Sequence, residues 1–511
     1  MKAAGWPNRP AIAIGLLIAT AALVTLPLTF RPMPLNDSHW INLVWLDQFT
    51  TLLREGHVWP RWLPASHDGL GAPVFYFYGP VAFWLTGSFA LAGFDNWSAI
   101  VATAAAMLAM GGILAWLWLR QWATRPLVGA LFFVVAPYHL LDLARRGALA
   151  EFVAIALLPA LPIGVARAAN TKPACLAIAY ALLCMTHPPT AVLAGLLLMP
   201  MLLIAPRLLT LTEVASVAYA IALGIGLAAI YLLPAFLLQP ETAIGAMRAP
   251  AYMQPASWTP TSLWRDAVPG LLLVGLIGLA LGLISIMSLS SAPSWSLFSL
   301  LVIVAALGCL PPLWILPALN HVQFPWRILS LAELAAAAIV ASTSCPIPRL
   351  LLFSTPTIIL SALILTPAAP GDPRTIHALL RSHPDVIEYL PPDVGEIQGA
   401  MSRRAMEIAA TTPPSSTVDG VTTLRRFAFP DVQIRCEEGI VSSWRQRHTG
   451  LLQYRGHGCH VERIATSAER IGTTVSLAAG LLLLLGSACS RFGRRAKRSG
   501  AFAVKNFTLP A

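Results

Sequence analysis

Long uncharged runs dominate this chain and limit what it can fold into. They measure about 18 to 25 residues, and short connectors that contain proline and arginine separate them. A backbone placed in lipid must satisfy its hydrogen-bonding groups internally, and a helix does so within one such run. Only 11% of the 511 residues are charged, whereas soluble domains carry about 25%. The sequence therefore predicts a polytopic α-helical membrane protein and excludes soluble enzyme folds, coiled coils and disordered regulators.

The uncharged runs predict twelve membrane helices. The first, 10–30, follows Lys2 and Arg9 and lacks a signal-peptide cleavage pattern, so we interpret it as a retained anchor with a cytoplasmic N-terminus. The even number returns the C-terminus to the cytoplasm. The other eleven spans are expected near 97–119, 127–141, 151–166, 173–187, 191–205, 213–238, 269–289, 295–317, 328–343, 350–366 and 472–489.

The basic residues agree with this topology, because lysine and arginine collect on the cytoplasmic side of membrane proteins. The net charge of +11 is therefore attributed largely to membrane orientation, and no nucleic-acid partner is expected. The apolar segment 80–94 is too short for a full span, and we interpret it as an interfacial or half-inserted helix on the outer face. The residues predicted inside are Arg120, Arg125, Arg167, Lys172, Arg207, Arg349, Arg491, Arg494, Arg495, Lys497, Arg498 and Lys505.

Three parts follow from this layout. The first, 1–366, is a transmembrane domain that includes a large outer loop at 31–96. The second, 367–470, carries more charge and shorter apolar runs with alternating polarity, which predicts a small, mainly β extracytoplasmic domain. The third, 471–511, contains the last membrane helix and a basic cytoplasmic tail.

Two of the seven cysteines, Cys436 and Cys459, fall in the predicted outer domain. An oxidising exterior would let them form a disulfide, and two unrelated thiols are the alternative. The other five lie within or beside predicted spans, where apolar packing is expected.

The first outer loop opens with an acidic residue close to the membrane surface. Asp37 and His39 precede an amphipathic stretch. A carboxylate held there could act as a general base toward a hydroxyl or ligate a divalent metal, with His39 assisting. The alternative is that Asp37 caps the N-terminus of the amphipathic helix.

A second cluster, DLARRGALAE at 142–151, sets Asp142 and Glu151 around two adjacent arginines on the predicted outer face. Arg145 and Arg146 lie on the predicted outer face, where the positive-inside rule expects few basic residues. They could bind a phosphate through forked hydrogen bonds. Internal ion pairs that fix the turn are an equal alternative.

A third cluster, NHVQFPWRILSLAEL at 320–334, offers an amide, an aromatic face and a cation in Gln323, Trp326 and Arg327. These groups suit a phosphorylated or glycosylated headgroup. Glu333, inside the following helix, could form a plain structural pair with Arg327, and His187 is expected to be a packing histidine at a helix end.

Five ordered segments, DSHW, EGHVWPRW, GAPVFYFYGP, RRGALAE and QFPWR, resemble the bacterial 6-pyruvoyl-tetrahydropterin synthase-related membrane protein family and, more broadly, the GT-C superfamily of integral membrane glycosyltransferases. The resemblance implies a polyprenyl-phosphate sugar donor. Asp37 corresponds to the acidic base or metal contact, and Glu151, with Asp142 as rival, to the second acidic position. Arg146 and Arg327 would face the donor phosphate. The resemblance leaves a divalent metal open and implies no other cofactor.

The sequence thus predicts a membrane glycosyltransferase that moves a sugar from a polyprenyl-phosphate donor to a glycan or lipid acceptor on the extracytoplasmic face of a bacterial inner membrane. The main alternative is a non-catalytic lipid or polysaccharide flippase or an envelope-assembly scaffold. A phospholipid-headgroup transferase is the third. Phosphate-binding loops and nucleophile elbows are missing from the sequence, which disfavours ATP-driven and serine chemistry.

Overall fold

A computed structural model of the chain describes residues 10–205, 207–245, 254–255, 258–260, 271–343, 346–366, 370–394 and 403–504, with the backbone alone at 271, 347–351, 403 and 487–504. Most of these residues are helical. The principal helices are α1 Pro10–Thr29, α2 His39–Arg54, α3 Val81–Leu91, α4 Asn96–Leu119, α5 Pro126–Val134, α6 Pro137–Leu141, α7 Leu149–Leu157, α8 Ala160–Ala169, α9 Ala174–Thr186, α10 Pro188–Leu193, α11 Met199–Ile204, α12 Leu211–Leu227, α13 Ala229–Leu237, α14 Leu271–Met287, α15 Pro293–Ala306, α16 Leu329–Ser342, α17 Ile347–Ile364, α18 Pro373–Ser382, α19 Arg403–Thr411 and α20 Ser467–Val504.

Each predicted membrane span contains a described helix. Within the described residues, six helical segments are long and apolar enough to cross a bilayer, and α12 with α13 forms a seventh candidate that bends by 65°. The helices in the other five predicted spans are not among these candidates, so the twelve-helix topology stays a prediction. The six long segments are Pro10–Thr29, Asn96–Leu119, Pro126–Arg146, Leu149–Ala169, Pro325–Ser342 and Ser467–Gly486.

Two predicted boundaries differ from the structure. The span expected at 295–317 ends at Ala306, because Gly308 has a φ of +80° and Pro311 follows in a separate short turn. The outer region expected to be mainly β begins with helices α18 and α19, and its strands start only at Ser415. Helix α18 forms because the side chain of Asp372 accepts the Thr375 N–H at 3.1 Å and a proline occupies the first helical position.

The strands of the outer region form two small antiparallel sheets. The first has the order β1-β2-β6-β5 and the second β4-β3-β7. A disulfide with an S–S distance of 2.01 Å joins Cys436 to Cys459, the pair expected from sequence. The strands are β1 Ser415–Val418, β2 Val421–Phe427, β3 Val432–Cys436, β4 Gly439–Val441, β5 Ser443–Arg445, β6 Leu451–Tyr454 and β7 His460–Arg463.

The first outer loop joins the strands to the helices. Buried Trp62 and Tyr76 of this loop share a hydrophobic cluster with Phe427 and Phe429. The Arg61 Nε donates to Glu469 Oε1 at 3.1 Å, at the start of α20. Because these contacts are buried, the outer loop is held against both the strands and the last helix.

Helix α20 also holds the bend between α12 and α13. A break in a helix leaves backbone groups without their usual partners. Here the Ser476 hydroxyl accepts the Ile230 N–H at 2.8 Å and donates to Leu227 O at 2.9 Å. The bend is therefore stabilised by the neighbouring helix.

Candidate functional site

The predicted second acidic cluster lies between α6 and α7, and it depends on how α6 begins. Pro137 opens α6 after an extended Ala136, so the first N–H groups of α6 lack partners within the helix. The fully buried Glu333 of α16 accepts the N–H groups of Tyr138 and His139 and contacts His139 Nδ1 at 2.9 Å. Glu333 therefore caps a neighbouring helix, whereas the sequence suggested a pair with Arg327.

Helix α6 continues into a π turn, Asp142–Arg146, that ends at Gly147 in the left-handed region with a φ of +63°. The turn sets Arg146 Nη1 against Asp142 Oδ1, and the chain then reverses into α7. Glu151 on α7 thereby comes back to the same guanidinium, with its Oε2 3.2 Å from Arg146 Nη1. This turn brings Asp142, Arg146 and Glu151 together.

A second arginine reaches Glu151 from a distant part of the chain. Arg327 Nε donates to Glu151 Oε2 at 3.0 Å, and the Tyr138 hydroxyl donates to Glu151 Oε1 at 2.7 Å. Glu151 is 2% exposed, so its charge depends on these partners, and Asp142 is fully buried. Two arginines thus lie against two acidic side chains in one buried cluster.

Arg327 is positioned by the segment before α16. Its Nη1 donates to Val322 O at 2.6 Å and to Gln323 Oε1 at 3.2 Å. Its guanidinium lies 4.8 Å from the centre of the Phe324 ring, which stacks on Trp326 at 4.7 Å. The structure therefore places Gln323, Trp326 and Arg327 beside the Glu151 cluster, and their role in binding a headgroup stays a prediction.

Both arginines keep donors that the cluster does not use. Within the described residues, the side-chain hydrogen bonds of Arg146 use Nη1, and those of Arg327 use Nε and Nη1. Among the described residues, Nη2 of each has no hydrogen-bond partner. A guanidinium offers five N–H donors in a fixed plane, so these remaining groups can bind an anionic oxygen.

Asp37 lies beside this cluster on the loop that leads into α2. Its side chain is exposed, its φ is +49°, and it receives a 3.5 Å hydrogen bond from Ser38 Oγ. Ser38, not Asp37, is the residue that precedes α2, and the helix has no side-chain cap. Although the side chain reaches solvent, the surrounding protein removes part of its hydration, and this desolvation raises the pKa of Asp37. The positive charges of Arg146 and His39 act in the opposite direction but are weaker.

Hydrogen bonds attach the Asp37 loop to the π turn. Ser38 N–H donates to Arg146 O at 2.9 Å, and Asn36 Nδ2 donates to Arg145 O at 2.5 Å. His39 Nε2 lies 3.1 Å from Leu143 O, and its Nδ1 lies 2.9 Å from Asn36 O. Burial lowers the pKa of His39, and both ring nitrogens face backbone carbonyls. In this arrangement His39 positions the loop.

Arg145 does not join the cluster. Its Nε donates to Ile364 O at 3.0 Å and its Nη2 to Leu363 O at 3.1 Å, at the end of α17. Neighbouring side chains on a helical turn point in different directions, so Arg145 and Arg146 serve different surfaces. The structure therefore places eight of the nine predicted catalytic and donor-binding residues around one region and sends Arg145 elsewhere.

Three nearby residues were not among the predicted site residues: Tyr138 and Tyr78 were missed, and His187 was interpreted as a packing histidine. Tyr138 binds Glu151, as described above. Tyr78, whose pKa burial raises to about 12, is close enough to interact electrostatically with Arg327, Glu151 and Arg146. His187 lies within electrostatic reach of the same three residues, and its Nδ1 is 2.7 Å from Thr190 Oγ1. The dense aromatic run at 71–84 was the available signal for Tyr78.

A metal ion needs several ligands that are free to bind it. In the described part of the chain, no group of three or more His, Cys, Asp or Glu side chains has a suitable arrangement. Glu151 and one oxygen of Asp142 are already bonded to arginines. These oxygens are therefore not free to coordinate a metal ion, and the arginines themselves are not metal ligands. The described residues therefore do not fit a site for the divalent metal, which the sequence analysis considered as a candidate cofactor.

Comparisons with known proteins give little further information. No protein-family model matches the chain, so the resemblance to the 6-pyruvoyl-tetrahydropterin synthase-related family stays a prediction. No curated protein matches it either. The chain is similar to two solved structures of the arabinofuranosyltransferase AftD from Mycobacteria, the second of a mutant form, at 16% and 18% sequence identity and TM-scores of 0.42 and 0.44. The matches cover 77% and 74% of this chain but only 28% and 30% of those chains.

Proposed function

We propose that the protein is a membrane glycosyltransferase of the GT-C type, which uses a polyprenyl-phosphate sugar on the outer face of the bacterial inner membrane. One observation carries the proposal. An exposed carboxylate, Asp37, lies beside Arg146, which shares the Glu151 carboxylate with Arg327. Both arginines have unused donors, and the three residues come from distant chain segments. A base beside an anion-binding pair is what transfer from a phosphate-linked donor requires.

In the proposed reaction, the acceptor hydroxyl attacks the anomeric carbon of the donor sugar. Its proton passes to the Asp37 carboxylate while the new C–O bond forms. The bond between the anomeric carbon and the phosphate oxygen breaks, and its electron pair leaves with the polyprenyl phosphate. The free N–H groups of Arg146 and Arg327 stabilise the negative charge that develops on that phosphate.

Glu151 and Tyr138 have a supporting role in this mechanism. The Glu151 carboxylate binds both arginines and receives the Tyr138 hydroxyl. These bonds orient the guanidinium planes before substrate binds, so little reorganisation is required during the reaction. Asp142, which binds Arg146 from the other side, completes the support.

The proposal is tested with the purified full chain in lipid nanodiscs, incubated with radiolabelled polyprenyl-phosphate sugars and an extract of cell-envelope glycans and lipids. Label should pass from the donor to an acceptor with the wild-type chain and not with Asp37→Asn. Parallel analysis of a deletion strain should show the donor accumulating and one envelope glycan losing a sugar. Normal envelope glycans and unchanged lipid-linked sugars in that strain would contradict the proposal.

The bend between α12 and α13 favours a second candidate function, a lipid or polysaccharide flippase. Interrupted membrane helices are typical of transporter binding sites, and this pair bends by 65°. A flippase would move an intact lipid-linked sugar across a liposome membrane without changing it. Translocation without sugar transfer by the reconstituted protein would select this alternative.

A further inference from the structure

Two arginines meet at the C-terminal end of α17, away from the cluster. Arg31 Nη1 donates to Leu365 O at 2.9 Å, and Arg145 donates to Leu363 O, Ile364 O and Thr366 Oγ1. A cation suits a helix C-terminus. Two cations at one end also repel each other, and an anion between them would relieve that repulsion.

A cavity of about 210 Å³ opens beside Arg31. Arg145 does not line it but binds the hydroxyl of Thr366, which does. It is lined by Arg31, Trp97, Leu365 and Thr366, and the described lining residues include no acidic side chain. Helices α1 and α17 end here and α4 begins, so the cavity lies where three apolar helices meet the membrane surface. Trp97, whose Nε1 donates to Leu28 O at 3.2 Å, is of a residue type that is enriched at bilayer interfaces.

An apolar groove of about 480 Å³ runs along the same helix. It lies between α14 and α17 and is lined by residues such as Leu279, Pro356, Ile359 and Leu363. It reaches Leu363, whose carbonyl binds Arg145. From Thr355 to Leu363 the groove follows about 12 Å of helix. A cavity with a cationic lining residue and an apolar groove therefore both reach the C-terminal end of α17, an arrangement that suits the phosphate and one acyl chain of a lipid.

We propose that this site binds an anionic phospholipid of the surrounding bilayer. Its phosphate lies in the cavity against Arg31, next to the Thr366 that Arg145 binds, and one acyl chain occupies the groove beside α17. Arg145 and Arg146 face different surfaces, so a phosphate held here does not reach Glu151 or Arg327. The bound molecule is thus a resident lipid and not a reacting donor, and the proposal does not depend on glycosyl transfer.

The test uses the full-length chain, purified in mild detergent and stripped of lipid. Native mass spectrometry then measures retention of added phosphatidylglycerol, phosphatidylethanolamine or polyprenyl phosphate. The wild-type chain should retain phosphatidylglycerol, and the double variant Arg31→Gln/Arg145→Gln should retain at least ten-fold less. Glutamine keeps an N–H donor for the helix carbonyls while it removes the charge. The matched control is Arg54→Gln, because Arg54 also donates to a carbonyl, Ala90 O at 3.3 Å, but lies outside the cavity.

A second variant tests the groove with both arginines intact. Leu279→Trp fills the groove at a side chain that is 66% exposed, so it should reduce phosphatidylglycerol retention without unfolding the protein. Leu297→Trp, at a 56% exposed position on α15, is its control and should retain the lipid. Equal retention by the wild-type chain and the charge variant would overturn the proposal. A site that retains polyprenyl phosphate and not phosphatidylglycerol would also overturn it, because the lipid would then be a donor.

Discussion

Glu151 accepts a hydrogen bond from Arg327 Nε at 3.0 Å, across 176 positions of sequence. The bond joins the start of α7 to the turn before α16, and Arg146 shares the same carboxylate oxygen at 3.2 Å. Because the pair is nearly buried, removal of the Glu151 carboxylate would deprive Arg327 of its ion-pair partner and leave Arg146 paired with Asp142 alone. The hydrogen bond between Glu151 and Arg327 therefore contributes to folding as well as to the orientation of the arginines that could bind an anion.

Glu151→Gln should lower both stability and activity. We expect a loss of about 3 kcal/mol in unfolding free energy, because breaking a buried ion pair on one side leaves its partner unpaired. Transfer should fall at least 100-fold, since the arginines lose their orientation. The control is Glu213→Gln, which removes the exposed pair with Arg207 and should change little. Detergent-solubilised melting curves and the transfer assay measure both effects, and wild-type stability in Glu151→Gln would refute the buried-pair argument.

Asp37→Asn should abolish transfer and leave stability almost unchanged. The Asp37 side chain is exposed and makes one 3.5 Å hydrogen bond, so its loss costs the fold little. Asparagine tolerates the left-handed backbone at a φ of +49°, so the loop should keep its shape. Asp419→Asn is the matched control, because Asp419 is exposed with a φ of +51° in a turn between strands. We expect at least a 100-fold loss of transfer for Asp37→Asn alone; equal activity in both variants would remove Asp37 from the mechanism.

Prediction of the fold and of the site residues from sequence succeeded where one local property of the chain was sufficient. Uninterrupted apolar length predicted the helices, since lipid leaves the backbone few other structures. Local sequence could not separate Arg145 from Arg146, because a π turn changes the direction in which successive side chains point. Tyr138 was hidden for another reason. It looks like an ordinary apolar helix residue until the reversal at Gly147 brings Glu151 back to its hydroxyl.

The stability of the outer region should depend on pH through Asp385. This residue is 1% exposed, accepts the Trp45 Nε1–H at 2.9 Å, and has a pKa that burial raises to about 6. A carboxyl group whose folded-state pKa is raised stabilises the fold below the unfolded-state pKa and loses that contribution as pH rises through the folded value. We expect about 2–3 kcal/mol to be lost between about pH 4 and pH 7.

Thermal melting across that range measures this effect. Glu388, whose pKa burial raises to about 7, should add a step in the same direction. Asp385→Asn should flatten the pH profile between pH 4 and pH 6, whereas Asp419→Asn should keep the wild-type slope. An unchanged slope in Asp385→Asn would show that the pH dependence arises elsewhere.

Gly147→Ala should disrupt the junction between the Asp37 loop and the π turn. A Cβ at Gly147 would lie 2.6 Å from His39 N and 2.8 Å from His39 Nδ1, and the φ of +63° is unfavourable for alanine. Gly420→Ala is the matched control, because Gly420 has a φ of +72° and a Cβ added there would meet no atom within 4 Å. The control should lose only about 1 kcal/mol of stability from backbone strain. Gly147→Ala should lose at least twice as much and reduce transfer, because α2 must move away from the turn that carries Arg146. Equal melting temperatures for the two variants would mean that the loop adapts freely, and Asp37 would then not be held in a fixed position beside Arg146.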